Sequence, residues 1–136
     1  KDWGAELKYS REKIAGATIE NLDFGDFIDR YKPRNGDFWY LDPPYFIATD
    51  KGDYYQHNFT VEDHIRLKEK VDDIDKNGGK FMVSYDYRDE VYDLYKDYNV
   101  ITIDLKYQGA TDENRLKKRK EYLILNYEPV NQTSLF

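Results

Sequence analysis

Alternating helix and strand periodicity predicts an α/β domain with a largely parallel sheet, and three observations carry that expectation. Phe24, Phe27, Ile28 and Tyr31 fall at i, i+3, i+4 and i+7, one apolar face of a helix. Asp37 to Leu41 and Lys80 to Tyr85 are apolar runs of strand length. Each of these runs is followed by an amphipathic helical pattern, the succession expected of βα units.

In chain order, Glu6 to Gly16 reads as a polar helix closed by glycine, and Ala17 to Leu22 as a short strand. The helix from Phe24 to Tyr31 follows, then a turn at Pro33-Arg34-Asn35-Gly36. The buried strand Asp37 to Leu41 ends at Asp42, and a polar, aromatic loop runs from Phe46 to about Phe59. Thr60-Val61-Glu62-Asp63 has the form of a capping box, with Asp in place of Glu or Gln. The helix it opens is expected to turn Val61, Ile65, Val71 and Ile74 inward, with His64 on its surface and Asp72, Asp73 and Asp75 on an exposed face. It stops at Asn77-Gly78-Gly79. After the strand Lys80 to Tyr85, Val91, Leu94, Tyr95 and Tyr98 mark another helix, and Ile101, Ile103 and Leu105 alternate along a strand. A basic loop spans Gln108 to Arg119, Glu121 to Tyr127 is the last strand, and the tail from Glu128 to Phe136 reads as unstructured.

Composition narrows the function classes. The 136 residues suit one domain of modest core, with 40% hydrophobic and 35% charged residues. Cysteine is absent, which removes disulfides, thiolate metal sites and a cysteine nucleophile. No apolar run approaches the roughly 18 residues that span a membrane, and an intracellular, cytoplasmic location fits. The net charge of −6 argues mildly against a nucleic-acid partner, yet Arg115, Lys117, Lys118, Arg119 and Lys120 concentrate positive charge in one stretch. The 14 tyrosines can stack on bases, but packing in the core explains most of them.

The chemistry centres on Asp42-Pro43-Pro44-Tyr45, where a strand ends and a long loop begins. Open α/β sheets bind ligands there, outside the carboxyl ends of their strands. The two prolines fix φ near −65° and hold the preceding residues extended. The outcome is a rigid turn presenting one carboxylate, one carbonyl and one aromatic ring. An exocyclic amine is a poor nucleophile because its lone pair is delocalised into its ring. Acceptors on both its hydrogens, Asp42 and the Pro43 carbonyl, favour a pyramidal nitrogen, while Tyr45 stacks on the base at about 1–3 kcal/mol. A plain strand-terminating turn would also read this way; the apolar strand before it and the helix after it favour the chemical reading.

Phe38-Trp39-Tyr40-Leu41-Asp42-Pro43-Pro44-Tyr45 resembles the catalytic motif of the Dam-like (alpha class) adenine-specific DNA methyltransferases. Tyr54 to Thr60 with Asp63-His64 and Leu67, then Lys80 to Asp86, then Lys118 to Tyr127 are similar to successive later segments of that family. The resemblance covers roughly residues 6 to 127 and implies the C-terminal part of the catalytic domain, with residues 128 to 136 as a tail. It implies a partial Rossmann-like sheet lacking its first two strands, with helices on both faces. S-adenosylmethionine (AdoMet) would donate the methyl group, and the target adenine would be flipped from double-stranded DNA. Ile19 to Phe24 matches the segment meeting the cofactor, so Asp23 would accept from its amino group and Phe24 would contact its ring, with Asp42 close by. Asp23 reads equally well as a helix N-cap. The basic stretch from Arg115 to Arg119 would grip phosphate. His57 and Asn58 are candidate contacts to the target strand, though a polar loop is the simpler account, and no metal site is implied.

The chain departs from the family in one large respect. A glycine-rich cofactor loop, the acidic residue for the ribose and a target-recognition domain are absent from these residues, and Gly78-Gly79 has the form of a helix stop instead. The family's sheet order, 3-2-1-4-5-7-6, would make family strands 4, 5, 7 and 6 neighbours here and leave strand 3 without a partner. The expectation is a fragment or split half that needs an N-terminal segment, inactive or very weak alone, within restriction-modification. Two alternatives stand beside it. One is a related methyltransferase acting on cytosine, RNA or protein, although Asp at position 42 favours adenine. The other is a non-catalytic remnant that binds DNA or a partner protein.

Overall fold

The computed structural model describes residues 3–45, 59–105 and 119–129. Its elements run α1 (Trp3–Ile14), α2 (Phe24–Tyr31), β1 (Phe38–Leu41), α3 (Val61–Lys76), β2 (Lys80–Asp86), α4 (Asp89–Tyr95), β3 (Asn99–Leu105) and β4 (Arg119–Leu125). The sheet order is β1-β2-β4-β3, the neighbour order expected of family strands 4, 5, 7 and 6. β1 pairs parallel with β2, and β4 runs antiparallel to both β2 and β3. Three strands therefore point one way, and the reversed β4 is wedged between two of them.

Side chains on a strand alternate between faces, and here only one set enters the core. Phe81, Val83, Tyr85, Tyr122 and Ile124 pack against Ile28 of α2, Leu67, Val71 and Ile74 of α3, and Val91 and Tyr95 of α4. Among the described residues, α2, α3 and α4 share this face. On the opposite face Phe38 and Tyr40 are each 58% exposed, so β1 is half open where a fully buried strand was expected. Its other edge has no ladder partner among the described residues.

Two helix ends follow the sequence closely. Thr60 Oγ1 accepts from Asp63 N, and the Asp63 carboxylate accepts from Thr60 N, completing the capping box. At the far end Gly79 N reaches Ile74 O and Gly78 N reaches Asp75 O, a Schellman closure with Gly78 at φ +81°. Asn126 then ties this corner to the sheet, accepting from Phe81 N and donating to Asp75 and Gly79 O.

Several expectations are corrected. Ala17 to Leu22 forms no strand, because no neighbouring strand among the described residues offers it a ladder. Val61 and Ile65 are 54% and 48% exposed; the inward face of α3 is His64, Leu67, Val71 and Ile74, spaced by three or four residues. His64 is thus a core residue, 2% exposed, because its ring bonds the Tyr85 hydroxyl and packs edge-on against Phe59. Asp72 is half-buried, since it pairs with Lys68 and accepts from the Tyr98 hydroxyl. α4 ends at Tyr95, and Tyr98 lies beyond it with its ring edge-on to Phe81. β4 begins and ends two residues earlier than the apolar run suggested. Residues 130–136 of the expected tail lie outside the described residues, while Glu128 accepts a hydrogen bond from Asn99.

Candidate active site

The parallel pairing of β1 with β2 places Leu41 beside Val83, so the turn at Asp42 emerges over the carboxyl end of β2. β4 runs the other way, which brings its early residue Glu121 to the same end of the sheet. Residues separated by 76 positions in sequence meet there: the Tyr45 hydroxyl donates to Glu121 Oε1 at 2.5 Å.

Asp42 is held in the same manner. The Ser84 hydroxyl donates to Asp42 Oδ1 at 2.8 Å, and Tyr40 OH lies 3.2 Å from the Ser84 oxygen. Ser84 has one hydrogen to give; with it committed to Asp42, Tyr40 is the donor to Ser84. Ser84 is 7% exposed, so this polar group in the sheet is satisfied on both sides. The described side-chain contact occupies Oδ1, and Asp42 itself is exposed. A carboxylate thus stands at the surface with one oxygen anchored and its second aimed by the first.

Burial, reinforced by the Glu121 carboxylate, pushes the Tyr45 phenol well above the ordinary tyrosine range. At neutral pH Tyr45 is a neutral donor with its ring held at both ends, by the proline-stiffened backbone and by Glu121.

Beneath the turn lies a cavity of about 190 Å³ walled by Phe24, Leu41, Pro43, Pro44, Phe59 and Leu67, with Asp42 at its rim. Its lining is almost wholly apolar, and Phe24 and Phe59 stand 5.5 Å apart within it. Such a slot accepts a flat, apolar-faced group. It is smaller than the roughly 300–1,000 Å³ that encloses a whole small-molecule ligand.

Asp23 combines the two roles that its sequence position left open. It is the N-cap of α2, accepting from Gly25 N at 2.8 Å. It also receives Arg66 end-on, Nη1 donating to Oδ1 at 2.7 Å and Nη2 to Oδ2 at 2.9 Å, and the same guanidinium lies 4.1 Å from the Phe24 ring centre. Arg66 foremost, with the Gly25 amide and against some burial, holds the Asp23 carboxyl below its usual range. These three bonds leave Oδ2 with room for a further donor. Phe24, the next residue, lines the cavity together with Asp42.

Not every sequence candidate is brought to this site. Asp42, Pro43, Pro44 and Phe24 line one cavity, Tyr45 follows on the same turn, and Asp23 is joined to them only as the neighbour of Phe24; His57, Asn58, Arg115, Lys117 and Lys118 lie outside the described residues, as does the side chain of Arg119. Sequence reading missed Ser84, Glu121 and Arg66. A serine within the buried run Phe81 to Tyr85 and a lone carboxylate at the head of an apolar strand were the available signals. No cluster of three or more His, Cys, Asp or Glu able to hold a metal occurs among the described residues. None of their helices is long and apolar enough to cross a membrane.

Comparison with known proteins gives the chain a family. Residues 4–108 match the family model for the D12 class N6 adenine-specific DNA methyltransferases. A type II methyltransferase of Lactococcus lactis subsp. cremoris, M1.LlaDCHI, is 30% identical over 107 residues, covering 76% of this chain and 38% of that protein. The type II methyltransferase M.MjaIII of Methanocaldococcus jannaschii is 31% identical over 110 residues, with the same two coverages. The modification methylase StsI of Streptococcus sanguinis is 30% identical over 125 residues, 82% of this chain and 19% of that protein. The chain therefore spans less than two fifths of the length of these relatives. It belongs to the D12 class of N6 adenine-specific DNA methyltransferases.

Proposed function

We propose that this chain carries the amine-activating part of a site that methylates N6 of adenine in double-stranded DNA. The observation that supports it most is the pair of anchored groups at one turn: Asp42 fixed by Ser84 and Tyr45 fixed by Glu121, 2.8 and 2.5 Å away. Asp42 Oδ2 and the Pro43 carbonyl accept the two amine hydrogens, and Tyr45 stacks on the flipped base. Drawing both hydrogens aside localises the nitrogen lone pair, which is the group that must attack. Holding the acceptors before the base arrives lowers the reorganisation needed at the moment of reaction.

AdoMet, when bound, supplies an electrophilic methyl group on sulfur. The apolar slot under Asp42 suits the flat purine end of such a cofactor, with Phe24 against its ring and the remaining acceptor of Asp23 toward its amino group. Its volume, about 190 Å³, is too small for the whole molecule. In this reading a glycine-rich segment outside these 136 residues holds the remainder, in keeping with the 38% coverage of two relatives. Residues 1–127 then form the C-terminal part of one catalytic domain in a restriction-modification enzyme of the cell interior. Arg115, Lys117, Lys118 and Arg119 would meet DNA phosphates, and His57 and Asn58 the target strand.

Transfer of labelled methyl groups from AdoMet into duplexes containing only adenine or only cytosine as methylatable amine tests the proposal. Label in the adenine duplex, lost about a hundredfold or more in Asp42→Ala, is the expected result. Label in the cytosine duplex, or an undiminished Asp42→Ala enzyme, would overturn it.

A further inference from the structure

We propose that Glu121 is a positioning residue for this reaction, setting the plane of the Tyr45 ring by gripping its hydroxyl. The inference rests on the adenine-methylation reading and adds a residue from another strand to it. Three observations carry it. The phenol–carboxylate bond is short, 2.5 Å, and joins the loop after β1 to the head of β4. Hydrogen bonds to an ionised acceptor are the stronger kind, worth more than a neutral pair when part-buried.

The second is register. Glu121 stands directly opposite Asp86 on β2, and like charges facing each other across an antiparallel pair destabilise it. Asp86 is matched by Arg88 at 2.6 Å, while the contact that Glu121 makes is with Tyr45. A carboxylate at a position unfavourable to the sheet, spent on the one ring that would stack on the substrate, points to use beyond folding.

The third is alignment. Ser84 pairs with Leu123, two residues along β4 from Glu121, so Ser84 and Glu121 lie on the same face of neighbouring strands. Strand pairing between β2 and β4 thus fixes the distance between the anchor of Asp42 and the anchor of Tyr45. With its backbone stiffened by Pro44 and its hydroxyl tied to Glu121, the Tyr45 ring retains little freedom to rock. A stacking platform needs that restraint, because misalignment of the base moves the amine off its acceptors.

The test has two arms. In the whole enzyme, Glu121→Ala is expected to lower kcat about tenfold with the KM for AdoMet unchanged, the pattern of lost positioning. Tyr45→Phe keeps the ring but removes the donor. Combined with Glu121→Ala it should lower kcat no further than the worse single variant, since both break one interaction. Glu121→Gln, which keeps an acceptor oxygen, should recover activity to within about threefold of wild type. A general structural role would instead give additive losses, a lowered thermal midpoint and no recovery in Glu121→Gln. In the second arm the 136-residue chain is labelled with ¹³C-tyrosine, the Tyr45 signal being assigned by its loss in Tyr45→Phe. Glu121→Ala should shift that signal. An unshifted signal, or additive kinetics in an active enzyme, overturns the proposal alone. A wild-type enzyme that methylates no adenine overturns the parent reading and this role with it, whatever the spectrum shows.

Discussion

Arg66 meets Asp23 through two parallel contacts, 2.7 and 2.9 Å long, joining the N-cap residue of α2 to the second turn of α3 across 43 positions. One guanidinium thereby fixes the Asp23 carboxylate, lies over the cavity residue Phe24 and meets Asp63 at 3.1 Å. The planar fork gives each oxygen of Asp23 its own nitrogen, where the single ammonium of Lys68 must share itself between the two oxygens of Asp72.

Separating the two roles of Asp23 takes two variants. Asp23→Ser retains a capping oxygen for Gly25 N but loses the fork to Arg66, while Asp23→Ala loses both. The ion pair is about two fifths exposed on each side, so its loss should cost only about 0.5–1 kcal/mol. The cap adds about 1 kcal/mol, so Asp23→Ala should be the less stable in urea titration. Equal stabilities would show that the cap contributes nothing. The folded carboxyl lies below the unfolded value of about 3.9, so its stabilisation is complete above that pH and declines as pH falls through the folded value.

Ser84→Ala removes the donor to Asp42 Oδ1 and leaves Tyr40 facing the carboxylate unaided. About a tenfold fall in kcat is expected, with DNA and AdoMet affinities little changed. Tyr40→Phe, one step further from the carboxylate, should cost less. Steady-state assays of the two variants check the order, and a larger loss in Tyr40→Phe would contradict the relay.

His64 should make stability sensitive to mild acid. Burial holds its ring below the ordinary histidine range, with Asp86 and Asp63 partly opposing. The unfolded chain then binds the proton more readily, so stability falls as pH drops below about 6.5, by at most about 1.4 kcal/mol per pH unit, and levels off below the folded value. Thermal midpoints between pH 8 and 5 should show this slope in the wild type. His64→Gln should flatten it, whatever its own midpoint.

Gly78→Ala should destabilise by about 1–2 kcal/mol, because φ of +81° is costly for any residue with a Cβ. An added methyl would also stand 3.3 Å from Asn35 Cβ. A calorimetric midpoint lowered by several degrees is expected, and an unchanged one would mean that the helix end re-forms without the left-handed residue.

Local chemistry was legible from the residues, and long-range partnership was not. Thr60 and Asp63 announced their cap by spacing alone, and Gly78-Gly79 its helix stop, since both depend on atoms within a few residues. Asp42 to Tyr45 could be placed at a strand end because two prolines and the preceding apolar run define that turn. Ser84, Glu121 and Arg66 act across 42, 76 and 43 positions, and only the pairing of strands and the packing of α3 bring them in. The error over His64 has the same origin. Hydrophobicity placed Val61 and Ile65 inside, while a histidine able to bond the Tyr85 hydroxyl and meet Phe59 took the buried side.

The wedging of β4 between β2 and β3 has a consequence for biosynthesis. Neither partner of β4 can complete its ladder until residues near the end of the described chain have emerged from the ribosome. The centre of the sheet therefore forms only after β4 has been made, and its pairing with β2 closes a long loop, the kind of contact that forms slowly. A chain cut before residue 119 would leave β3 with no strand to pair with among the described residues. Because the same strand carries Glu121, the last ladder to close is also the one that delivers the anchor of Tyr45. Hydrogen exchange during refolding should find the β4 amides protected no earlier than those of α3.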